Sequence, residues 1–143
     1  MKNSILALSM LGLVFASCNK DKNEEVTPTK ENLTGSFKIT AMTYAGMNVF
    51  NNADENANFF EPCERDDVYN LKADLTGELT DAGTQCSPPS SGTGTWSLTG
   101  TTFSIVDVAA VDISGTIKSW NGKTLVIEES NGSVTGTITL EKQ

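Results

Sequence analysis

The chain of 143 residues contains no histidine. That absence removes the usual base for activating a serine or cysteine nucleophile and the commonest metal ligand. Basic residues are also scarce: ten Lys and Arg stand against eighteen Asp and Glu, a formal charge of −8. Nucleic acid binding rests on phosphate neutralisation, so this balance argues against it and against attraction to anionic lipid. The apolar run Ile5–Phe15 falls short of the roughly 20 residues that span a bilayer. No glycine-rich stretch has phosphate-loop spacing. No catalytic residue, metal ligand or cofactor is assigned, and the chain reads as a non-enzyme.

What is present begins with a signal-peptide pattern over residues 1–17. Lys2 supplies the positive start, Ile5–Phe15 the apolar core, and Ala16-Ser17 the small residues at the cut. An ordinary cleavage site needs a small residue three positions before the cut, where this chain has Phe15. Phe15-Ala16-Ser17-Cys18 instead resembles a lipobox, with Cys18 as the lipidated first residue of a lipoprotein. Two or three acyl chains there would anchor it stably, whereas one would not. Residues 18–30 are polar and charged and read as a lipidated, flexible tether. Asp21, Glu24 and Glu25 resemble an acidic export stretch, although solubility explains such residues equally. The expected location is the bacterial cell envelope, as an outer-membrane lipoprotein on its periplasmic or surface side. The membrane contact would be the lipid on Cys18.

Residues 31–143 form one domain rich in Thr, Val and Ile. In Leu33–Ala41 the odd positions are placed inward, and Val111–Lys118 and Val134–Glu141 alternate likewise. Period 2 of this kind indicates antiparallel strands with one wet face. Eight strands are predicted, at 33–44, 67–73, 76–81, 93–98, 101–107, 111–120, 123–130 and 133–142. Turn residues separate them, including Thr99-Gly100, Asn121-Gly122 and Asn131-Gly132. No crossover long enough for a parallel pair is present. The expected fold is all-β, an eight-stranded antiparallel up-and-down barrel. With Cys18 lipidated, Cys63 and Cys86 remain. They lie equidistant from the turn at Ala73–Gly77, so a disulfide would clamp the open end of that hairpin. The gain would be roughly 3 kcal/mol in the chain-entropy model.

These features resemble the lipocalin-like domains of small bacterial lipoproteins, mostly of Bacteroidota. The resemblance rests on Leu33-Thr34-Gly35-Ser36-Phe37, Cys63-Glu64-Arg65-Asp66-Asp67-Val68-Tyr69, Cys86, and Gly94-Thr95-Trp96-Ser97-Leu98. The strands Leu125-Val126-Ile127 and Thr137–Lys142 complete it. The first strand of that family usually carries Gly-x-Trp. Here Phe37 replaces the tryptophan and still supplies an aromatic plug for one barrel end.

A barrel of eight strands is just wide enough for side chains or one small ligand. The inward residues that would line a ligand cavity are Phe37, Ile39, Tyr69, Leu71, Trp96, Phe103, Ile113, Ile117, Leu125, Ile127 and Ile138. Trp120 alternates outward from Ile117 and is expected to be an exposed contact residue. Residues 45–66 read as a lid or, preferably, as a packed plug with a short helix over Asn52–Phe60. The acidic group Asp54, Glu55, Glu61, Glu64, Asp66 and Asp67 matches no calcium loop. Asp66 or Asp67 capping the hairpin, or pairing with Arg65, is the preferred reading. The leading function is binding a small apolar ligand or a partner protein, as a monomer. The alternative is a surface-interaction or inhibitor lipoprotein with a filled barrel.

Overall fold

A computed structural model describes residues 25–108 and 112–143. The proposed signal peptide, Cys18 and the tether as far as residue 24 lie outside the described residues. A short helix, α1 (Lys30–Leu33), opens the fold; its Thr29 cap accepts the Asn32 N–H while Asn32 returns a bond to the Thr29 N–H. Nine strands follow: β1 (Gly35–Tyr44), β2 (Met47–Asn48), β3 (Val68–Leu71), β4 (Thr76–Thr80), β5 (Gly92–Thr99), β6 (Thr102–Val106), β7 (Ile113–Trp120), β8 (Thr124–Asn131) and β9 (Val134–Lys142). All neighbouring pairs are antiparallel. The order β1-β3-β4-β5-β6-β7-β8-β9 closes through β1–β9, giving the predicted eight-stranded barrel. Strand β2 is an unpredicted appendage. It folds back on the end of β1 through Ala45 and Gly46, both at positive φ, a turn that lacks the Asn-Gly signature.

Two bulges decide which side chains enter the barrel. Thr40 is the extra residue in β1 against β9, and Lys118 the extra residue in β7 against β8. One additional residue reverses the parity of everything after it. Two expectations therefore need correction. Ala41 is exposed and Met42 is buried in its stead. Trp120 is not an exposed contact residue; it turns inward and is 1% exposed. Its ring lies 6.1 Å from that of Phe37, and together with Leu33 they plug one end of the barrel.

That plugged end carries tight turns at 72–75, 100–101 and 121–123, the C-terminus and α1. Asn121 shapes one of them by accepting the N–H groups of Lys123 and Thr124. Residues 25–28 also lie there, with the Val26 N–H donating to the Trp120 carbonyl at 2.7 Å. The opposite end collects the long segments 49–67 and 81–91 together with Asp107, Val108 and Asp112. We refer to the two as the tether end and the loop end. Among the described residues no helix is long and apolar enough to cross a membrane.

Candidate binding site at the loop end of the barrel

The residues predicted to line a cavity do converge inside the barrel, and all are buried. Phe37, Phe103, Leu125 and Ile127 have no accessible surface at all. A void that admits even a water molecule would leave accessible surface on its walls. Contact replaces the void: Trp96 and Phe103 rings meet at 6.2 Å, and the Trp96 indole N–H donates to the Lys72 carbonyl at 2.8 Å. Tyr69, Leu71, Ile39, Ile113 and Ile138 complete the same packed cluster. Ile117, from the predicted lining, reaches an outer cleft under Val26 and Pro28. Burial among apolar neighbours pushes the Tyr69 hydroxyl well up, with Asp67 and Glu64 adding to it.

The concave surface lies outside, at the loop end. A cleft of 520 Å³ is lined by Glu61, Glu64, Ser87–Gly92 and Asp107, with Leu79 and Val108 as apolar walls. Its rim is built by covalent and polar bracing. Cys63 and Cys86 are bonded, S–S 2.07 Å, as their symmetric placement predicts. Asp81 accepts the N–H groups of Cys86 and Ser90. Asp66 accepts the Thr84 N–H, while Asp67 accepts the Ala82 N–H and the Ser90 hydroxyl. The two adjacent aspartates thus tie the segment 82–90 to the start of β3. Asp67 is buried, and desolvation pushes its carboxyl above the ordinary range even though Ser90 and Ala82 donate to it. Neither aspartate pairs with Arg65, which instead donates to Glu55 and to the Phe60 carbonyl. The guanidinium hydrogen bond holds Glu55 below its usual range. Among the described residues no three Cys, Asp or Glu side chains group as metal ligands would.

Segment 45–66 packs as the plug reading expects. Val49, Phe50 and Phe60 are buried in the barrel core, with the Phe50 and Phe60 rings edge-on at 5.8 Å. The helix expected over 52–60 shrinks to one 3₁₀ turn at Glu55–Ala57. Asparagines take over its role. Asn48 accepts the N–H groups of Phe50 and Asn51, and Asn52 and Asn58 bond to each other through side chain and backbone. Asn and Asp favour such local side-chain bonds over helix, which is the signal the sequence carried. Phe59 is the exception, 48% exposed.

The sequence model of the lipocalin-like domain matches residues 33–127, most of this barrel. The chain belongs to the lipocalin-like domain family. No curated protein and no solved structure matches it. Within this lipocalin-like domain the motifs have structural work. The Cys-x-x-Asp-Asp block braces the loop-end rim. In the Gly-x-Trp step, a β-carbon on Gly94 would sit 2.2 Å from the Val106 carbonyl oxygen, so glycine lets the end of β6 and Asp107 approach β5 closely. The match stops at Ile127, yet β9 closes the barrel.

Proposed function

We propose that this lipocalin-like domain is the binding module of an envelope lipoprotein, anchored through lipid on Cys18 and recognising its partner at the loop end. The supporting observation is the packed interior. The external cleft of 520 Å³ is a ligand-sized space, and the barrel works as a rigid scaffold for the loops that form it.

The attachment of the tether supports the same orientation. Val26 is bonded at the end opposite the loops. The eight residues from Cys18 to Val26 span at most about 28 Å. The tether end would therefore sit towards the membrane and the loop end away from it. An interior apolar ligand would have to displace fully buried side chains.

Two measurements test this reading. Full-length protein expressed in a bacterial host should incorporate labelled palmitate, and Cys18→Ala should abolish the label and release the protein from membranes. The purified barrel should show no saturable uptake of a dansylated fatty acid. Saturable uptake, lost on enlarging an interior residue such as Ile127→Phe, would overturn the external site.

A further inference from the structure

The two ends of the barrel differ sharply in charge. The loop-end segment 45–67 carries six carboxylates, and Asp81, Asp107, Asp112 and Glu129 lie at the same end. Arg65 is the one cation among the described residues there, and Glu55 already pairs with it. At the tether end Lys30, Lys72, Lys123 and Lys142 balance Glu25, Glu31, Asp74 and Glu141. Among the described residues the excess negative charge is thus concentrated at one pole rather than spread for solubility.

An apolar patch lies within that pole. Phe59 is 48% exposed and packs at a tilt against Tyr44, ring centroids 5.7 Å apart. Met47, 60% exposed, is paired with Tyr44 across the β1–β2 hairpin. Tyr44 also walls a groove of 330 Å³ whose other side holds Asp112 and Glu129. These two carboxylates accept the Asp107 and Ser114 N–H groups, which fixes them beside the groove. The loop beneath Phe59 is pinned by Arg65 and by the asparagine bonds, so the patch is held in place rather than collapsed into the core. Aromatic anchors ringed by charge are the anatomy of a protein-docking surface.

We propose that the Tyr44–Met47–Phe59 patch docks a basic polypeptide, with apolar side chains on the three anchors and Lys or Arg against Asp112 and Glu129. The argument for that occupant is charge complementarity: an acidic or neutral partner would leave a strongly negative rim unpaired, whereas a cationic one is steered to it. The inference rests on the loop end being the binding end.

The test uses fluorescein-labelled peptides of alternating Lys and Leu, or alternating Glu and Leu, titrated with the barrel and followed by anisotropy. The Lys-Leu peptide is expected to bind saturably and the Glu-Leu peptide not at all. Met47→Ser with Phe59→Ser should weaken binding by about tenfold or more. Asp112→Asn with Glu129→Gln keeps both backbone bonds and should weaken it several-fold, about threefold per charge, with a reduced salt dependence. Lys123→Gln at the tether end should change nothing. Equal binding of both peptides, or unchanged binding in the Met47/Phe59 variant, would overturn the proposal. Palmitate labelling reads the lipid anchor and fatty-acid exclusion reads the external site independently, so this failure is distinguishable from the failure of either.

Discussion

The tether end and the loop end of one barrel are held shut by different physics. At the tether end, short turns leave little backbone to order, and Leu33, Phe37 and Trp120 close the mouth by burial. At the loop end, two long segments must be held down. The protein uses a disulfide, three aspartates and a set of asparagines, with Val49, Phe50 and Phe60 beneath them. The first device is apolar and salt-insensitive; the second is polar and leaves side chains at the surface. Polar bracing can thus hold an exposed Phe59 in position at the loop end without burying it.

The largest effect should come from breaking the apolar end. Phe37→Ala removes a fully buried ring and should cost about 3–5 kcal/mol in urea unfolding. Cys63→Ser with Cys86→Ser breaks the loop end and should cost about 3 kcal/mol for a closed loop of this size. Hydrogen exchange should then quicken across 81–91 and stay unchanged in the turn 121–123; uniform quickening would show that the two ends are not independent. A smaller difference separates the tryptophans. Trp96 donates to the Lys72 carbonyl, whereas the buried Trp120 Nε1 has no partner among the described residues. Trp96→Phe should therefore cost about 1 kcal/mol more than Trp120→Phe.

The subtlest prediction concerns pH. The Asp67 carboxyl lies above its ordinary value of 3.8 in the folded protein, chiefly by burial. Its contribution favours folding below that value and is lost as pH rises through the raised one. Wild type should lose stability relative to Asp67→Asn as pH rises past 3.8 and towards the raised folded-state value. The opposite slope would mean that the Ser90 and Ala82 bonds outweigh desolvation.

Much of this architecture was legible locally. Alternation in β7 and β9 and the turn residues Gly100, Gly122 and Gly132 placed the later strands within a residue or two. Trp120 was misplaced because a bulge is a relation between two strands. Nothing in Ile117–Trp120 alone announces that Lys118 has no counterpart on β8. The acidic residues were visible as a group near Cys63, but Asp107, Asp112 and Glu129 joined that pole only when β6, β7 and β8 brought their ends together.

By itself, then, the chain determined its strands, most of its turns and the Cys63–Cys86 bond, since each depends on short-range periodicity, backbone freedom or symmetric spacing about one hairpin. Only the tertiary structure decided the parity at Trp120, the filling of the interior and the gathering of charge at one end. Those depend on register between segments far apart in sequence, where a single extra residue reverses what faces the core.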